Sequence, residues 1–187
     1  MYKIIQNHFS EHKNVLQDTF LKFEKKLNLA SDIICRSLKK KGTVFWCGNG
    51  GSASDSMHLS AELIGRFNKK RKPLRSISLA GNPSTLTCIS NDFGYHNVFS
   101  RQIEGLGRKD DILIAISTSG NSKNIIKVLE AAKKKRIKTI SFLGKKGGKC
   151  KHKADLSFII PSISTARIQE MHILMGHILC DLVERKL

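Results

Sequence analysis

The run Asp111-Ile-Leu-Ile-Ala-Ile-Ser117 constrains the fold of this 187-residue chain more than any other feature, because its apolar residues do not alternate with polar ones. A strand without alternation is buried on both faces, which happens in parallel sheets covered by helices on either side. The run leads directly into Ser117-Thr-Ser-Gly-Asn-Ser122 and then into a helix-compatible stretch. In open α/β sheets, the turn at the carboxyl end of a strand is where ligands are held. Ser117, Thr118, Ser119 and Ser122 offer hydroxyl donors, Gly120 lets the backbone fold tightly, and the next helix aims free amides at the loop. An anion, above all a phosphate ester, suits such a cradle. The same residue types also serve helix capping and turn formation alone.

A second loop shifts that balance. Thr43-Val-Phe-Trp-Cys47 reads as a short apolar strand, followed by Gly48-Asn49-Gly50-Gly51-Ser52 and a helix over Ala53 to Phe67. Two strand-turn-helix units place two cradles on one sheet edge, one for a phosphate and one for a sugar. Upstream, Phe9, Leu16, Phe20, Phe23, Leu27 and Ile34 predict one or two amphipathic helices between about Ile4 and Lys40, packed outside the sheet or against a neighbouring subunit. Leu74–Leu79 alternates as a strand, Pro83–Ser90 is a short helix, Asn91-Asp-Phe-Gly94 a turn, and His96–Leu106 another helix. Beyond the serine-rich turn, the pattern predicts a helix over Asn124–Lys135, a strand over Ile137–Leu143 and a flexible loop over Gly144–Gly148. A last strand over Leu156–Ile160 ends at Pro161, and a closing helix spans Ala166–Glu184. The βαβ alternation implies an α/β fold: a three-layer, flavodoxin-like parallel sheet flanked by helices, in a single domain over residues 1–187.

A formal charge of +18 raises nucleic acid as a partner. The cations cluster at Lys39–Lys41, Lys69–Lys72 and Lys133–Arg136, which read as helix ends or linkers, and no aromatic residue interleaves with them as a stacking platform requires. Solvated helix termini are therefore expected, with steering of an anionic metabolite as a secondary benefit. The five cysteines are odd in number and show no C-x-x-C spacing, so free, mostly buried thiols are expected. The chain has no apolar run of membrane-spanning length and no signal-peptide pattern, which implies a cytoplasmic protein.

Metal-type residues lie on the helices. His58 and Glu62 are four apart, so they share a helix face and can grip a divalent metal or form an ordinary exposed polar pair. On the last helix Gln169, Glu170, His172 and His177 interrupt apolar sequence. Gln169 and His177 are separated by about 12 Å of helical rise, so they share an ion only by leaning towards one another, and His172 falls on another side.

Taken together, Cys47-Gly-Asn-Gly-Gly-Ser52, His58 with Glu62, Asn91-Asp-Phe-Gly94, Ser117–Ser122 and Arg167-Ile-Gln-Glu-Met-His172 through His177 resemble the sedoheptulose 7-phosphate isomerases, sugar isomerase (SIS) domain proteins. The resemblance runs nearly end to end. It implies an aldose–ketose isomerase that makes a manno-configured heptose 7-phosphate, the first step towards nucleotide-activated heptose for lipopolysaccharide core or capsule. It further implies a homotetramer with sites at subunit interfaces and one zinc per subunit, held by His58, Glu62, Gln169 and His177. The sugar phosphate would meet Asn49, Gly50, Gly51, Glu62, Asn91, Asp92, Ser117, Thr118, Ser119, Ser122 and Gln169.

Moving a carbonyl from C2 to C1 requires a proton to leave the carbon beside it, an enediol to form, and a proton to return next door. Glu62 is the expected base at carbon and His177 the partner for hydroxyl protons or ring opening, with Asp92 in reserve. Asp92 has a structural alternative as the Asx-turn side chain of Asn91–Gly94. Two rival functions come with the resemblance. One is a replication-initiator-associating scaffold of the same fold, whose members lack the glutamate and second histidine that this chain keeps. The other is a non-catalytic sugar-phosphate sensor, which leaves the metal-type residues unexplained.

Overall fold

The computed structural model describes residues 1–187. Five strands, β1 (Val44–Cys47), β2 (Ser76–Ser78), β3 (Ile112–Ser117), β4 (Lys138–Leu143) and β5 (Leu156–Ile159), form one sheet in the order β2-β1-β3-β4-β5. Every pairing is parallel, with Phe45 beside Ile77 on one side and Leu113 on the other. Alternate strand residues feed two cores. Val44, Trp46, Ile112, Ile114, Ile116, Ile140 and Phe142 pack beneath α1 (Tyr2–Lys39), α2 (Gly51–Ile64) and α6 (Thr165–Lys186). Phe45, Cys47, Leu113 and Ala115 pack beneath α3 (Pro83–Phe93), α4 (Ser100–Leu106) and α5 (Lys123–Lys134). This is the expected three-layer architecture, and β3 is buried along its whole length.

Several elements differ from the sequence reading. Of the one or two amino-terminal helices expected, there is a single one of 38 residues, since no glycine or proline interrupts it. Its first three turns are exposed, and burial begins at Val15. The expected turn at Asn91–Gly94 is instead the last turn of α3, closed by Gly94 at φ 81°, whose N–H bonds to the carbonyl of Ser90. The helix expected over His96–Leu106 divides into a 3-10 turn at Tyr95–Asn97 and α4.

Residues 144–148 are not a free loop. Lys145–Cys150 form a 3-10 turn that passes left-handed through Lys146, Gly147 and Gly148. It is fastened to the serine-rich turn by Cys150 N–H to the Gly120 carbonyl (2.9 Å) and Lys149 N–H to Asn121 Oδ1 (3.0 Å). A Cβ on Gly120, itself at φ 64°, would collide with the Gly147 carbonyl, so only glycine allows this approach. No helix is long and apolar enough to cross a membrane. Cys35, Cys47, Cys150 and Cys180 are buried free thiols, and Cys88 is exposed.

Candidate active site

The strand order reverses direction between β1 and β3, so the crevice at their carboxyl ends is the sheet's switch point. The loops after these strands, Gly48–Gly50 and Thr118–Ser122, face each other across it. Asn49 and Asn124 bridge the loops with paired amides: Asn49 Nδ2 donates to Asn124 Oδ1 (2.9 Å) and Asn124 Nδ2 to Asn49 Oδ1 (2.8 Å). The Tyr95 hydroxyl also donates to Asn49 Oδ1 (2.9 Å). Neither Asn124 nor Tyr95 was singled out from sequence. The sequence carries no signal for Tyr95, and for Asn124 only an amide in the first turn of α5.

In the second loop, Ser117 Oγ accepts the N–H of Gly120 (3.1 Å), and Ser119 Oγ accepts that of Asn121 (3.1 Å). The hydroxyls therefore hold the turn while each keeps a proton to donate, so the capping reading and the anion reading coexist. Ser117 and Ser122 Oγ are 3.5 Å apart, Thr118 and Ser119 are partly open, and α5 begins behind them. Gly50 stands at φ 56° immediately before α2. Asn91 and Asp92 sit exposed at the end of α3, where Asn91 Nδ2 donates to Asp92 Oδ1 (2.9 Å).

The metal-type residues meet on the seam between α2 and α6. His58 Nε2 lies 3.0 Å from Glu62 Oε1 and 3.2 Å from His177 Nε2, and ligand atoms of all three fall within 4.8 Å of one another. One ring nitrogen cannot satisfy both neighbours with a single proton, so lone pairs converge. Phe67 stacks on His177 with ring centroids 5.5 Å apart. Burial, and then the neighbouring His58, pull the His177 imidazole below its ordinary pKa against the opposing pull of Glu62, favouring the neutral, ligating form.

Gln169 is not brought to this trio within one chain. Its amide lies against Gly51, where an added Cβ would stand 2.5 Å from Nε2. Gly51 precedes His58 by seven residues, so Gln169 and the trio mark two points on one seam about 10 Å apart. Glu170 pairs with Arg167 Nη2 (2.5 Å) and His12 Nδ1 (2.7 Å), and His172 is fully buried with Nε2 3.2 Å from the Leu143 carbonyl. Asp55, one turn before His58, was also missed by sequence. Its Oδ2 is buried without a partner, and burial pushes its carboxyl up against the opposing influence of His58.

Hydroxyl-lined loops at the switch point of a parallel sheet, with basic and acid groups on the adjoining helix seam, define a domain for small phosphorylated ligands. Residues 7–144 match the SIS domain family. A phosphoheptose isomerase of Helicobacter pylori is 50% identical over 182 residues, covering 97% of this chain and 95% of that one. The phosphoheptose isomerase of a Nitratiruptor species is 46% identical over 184 residues, 98% of each chain. Among solved structures, phosphoheptose isomerase GmhA from Neisseria gonorrhoeae matches with a TM-score of 0.92 at 36% identity. A phosphoheptose isomerase from Francisella tularensis matches at 0.95 and 32%, and each of these two matches covers 98% of both chains. The chain belongs to the phosphoheptose isomerase family of SIS domain proteins, and it is an enzyme, a sugar-phosphate isomerase.

Proposed function

We propose that the enzyme interconverts sedoheptulose 7-phosphate and D-glycero-D-manno-heptose 7-phosphate, feeding nucleotide-heptose synthesis for lipopolysaccharide core or capsule in the cytoplasm. The observation that carries this reading is an imidazole–carboxylate–imidazole trio about two helical turns along α2 from the Gly48–Gly50 loop, which faces the hydroxyl-lined turn across the switch point. The cradle of Ser117, Thr118, Ser119 and Ser122 takes the phosphate, while Asn49, Gly50, Gly51, Asn91 and Asp92 take sugar hydroxyls. The reacting carbons then lie towards Glu62.

The trio also fits a zinc ion by its donor chemistry. Ligands 2.0–2.1 Å from a tetrahedral ion stand about 3.3 Å from one another, close to the 3.2 Å and 3.0 Å separations that His58 makes with His177 and Glu62. His58, Glu62 and His177 would hold one zinc per subunit of a homotetramer, with Gln169, which lies against Gly51 within one chain, as the fourth ligand that the resemblance implies. When bound, the ion supplies a Lewis acid that polarises a carbonyl oxygen.

Glu62 removes the proton from the carbon beside the carbonyl and returns it to the adjacent carbon after an enediol forms. His177, held neutral by burial, exchanges the hydroxyl protons. Phe67 limits water at its ring face, and the paired amides of Asn49 and Asn124 fix the loop that carries Gly50 and Gly51.

The test is direct conversion. Purified enzyme given sedoheptulose 7-phosphate forms a heptose 7-phosphate, loses activity to a chelator and regains it with zinc. Glu62→Gln lowers turnover by about 10²–10⁴-fold with the fold intact. Normal turnover by that variant removes Glu62 as the base, and absence of conversion by the wild type removes the substrate assignment.

A further inference from the structure

The residues of the proposed active site include no lysine or arginine, so they leave the excess positive charge unexplained. At the opposite edge of the sheet, beneath the amino ends of β3, β4 and β5, lies a cavity of about 830 Å³. Arg36 and Lys39 from the end of α1, Lys109 from the turn entering β3, and Arg136 from the turn entering β4 all line it. Its three carboxylates are already committed. Asp110 pairs with Lys40 (3.1 Å) and Asp155 with Lys138 (3.0 Å), while Asp111 accepts the backbone N–H groups of Thr43 and Arg108 (both 2.7 Å). The remaining four cations have neither a carboxylate partner nor a side-chain hydrogen bond, and they repel one another across the opening.

Helix-terminal electrostatics explain part of this cluster. Arg36 and Lys39 complement the carboxyl end of α1. Lys109 lies outside any helix, and Arg136 stands one residue past the cap of α5 at φ 59°, a left-handed conformation that glycine adopts at lower cost. Lys41 (φ 62°) and Asp110 (φ 75°) repeat the pattern in the turns entering β1 and β3, so non-glycine residues hold unfavourable backbone along this edge.

We propose that this cavity is a second ligand site, for a small polyanion carrying two or more phosphate groups. Its volume falls within the range of small-molecule pockets, roughly 300–1,000 Å³. None of its 14 lining residues is aromatic, so it lacks the stacking platform on which single-stranded nucleic acid depends. Four unpaired cations instead match the several oxygens of linked phosphates, and guanidinium groups at Arg36 and Arg136 bind such oxygens in pairs. The site is independent of the cradle at the far end of β3.

Isothermal titration of the full-length protein with tripolyphosphate, at about 0.15 M salt, tests it. Lys109→Ala with Arg136→Gly is the informative variant, because Lys109 is exposed and glycine suits the backbone at 136. The site predicts binding to the wild type, about tenfold weaker for each cation removed, and unchanged in a Ser119→Ala control that alters only the cradle. Equal affinity in wild type and double variant overturns the proposal, as does loss confined to Ser119→Ala. Tighter capture of a DNA fragment than of tripolyphosphate through the same two residues overturns the small-ligand assignment.

Discussion

Replacing Glu184 with alanine should unfasten the end of α2 that carries Glu62. The Glu184 side chain is fully buried, accepts the backbone N–H groups of Phe67 (2.7 Å), Asn68 (2.8 Å) and Lys69 (2.9 Å), and lies 2.8 Å from Arg71 Nε. Arg71 in turn donates to the carbonyls of Glu62 and Leu63 (both 2.8 Å). Alanine leaves three amides and a nearly buried guanidinium without their anion. Breaking a buried pair of this kind costs about 3–5 kcal/mol, and Glu184→Gln, which keeps shape and one acceptor oxygen, costs about 1–3 kcal/mol. Urea unfolding at neutral pH measures both. Burial pushes the Glu184 carboxyl up, but the three amides and Arg71 outweigh it and hold the pKa below the ordinary 4.5. The folded state therefore binds fewer protons than the unfolded chain as pH drops through this range. The carboxylate's stabilisation is complete above about pH 4.5 and is lost as pH falls through the folded value, so the gap between wild type and Glu184→Gln should narrow under acid. A loss under about 1 kcal/mol for Glu184→Ala, or a gap indifferent to pH, refutes the clamp.

Ser119→Ala should raise KM about tenfold with little change in kcat if, as proposed, its hydroxyl meets the unreactive phosphate end; steady-state kinetics showing the reverse split would place it elsewhere. His172 is buried and held neutral down to about pH 4 by desolvation, against the opposing bond to the Leu143 carbonyl. Since the unfolded imidazole takes its proton near 6.5, wild-type stability should fall by about 3 kcal/mol between pH 6.5 and 4 on this account, and His172→Gln should flatten that segment of the pH–stability curve. Gly176→Ala would drive a methyl group into Leu59 Cδ1 where α6 packs on α2. It should part His58 from His177 and weaken zinc binding in a chelator competition, even where the helix gains the roughly 1 kcal/mol by which alanine exceeds glycine.

The fold was legible because β3 has no polar face: such a strand has one home, between two helical layers, and the cradle follows from what comes after it. His58 and Glu62 were legible from their four-residue spacing. Their meeting with His177 was not legible from physics alone, since nothing local reports that Gly176 brings α6 close to Leu59 on α2. Spacing did foretell that Gln169 and His177 occupy different levels of one helix. Asn124 went unnoticed because an amide in the first turn of a helix looks like ordinary surface until its partner, 75 residues away, comes into contact. The loop at 144–148 looked mobile for its glycines, yet those glycines allow close packing against Gly120.

Several of the acidic residues of this +18 chain are engaged in holding its fold together. Asp111, Asp155 and Glu184 are taken up by backbone N–H groups at turns, where each fixes an element boundary, and Glu170 joins α6 to His12 of α1. Asp111 and Glu184 are buried, so they do little to offset the surface charge, whereas Asp155 is exposed and pairs with Lys138. Glu62 differs in having an imidazole, His58, rather than backbone N–H groups or a guanidinium beside its carboxylate. The resulting positive field draws anions towards the protein, and at the proposed cradle the donors are hydroxyl protons and helix amides rather than lysines. Salt should therefore slow capture more than chemistry, with kcat/KM falling as ionic strength rises while kcat holds.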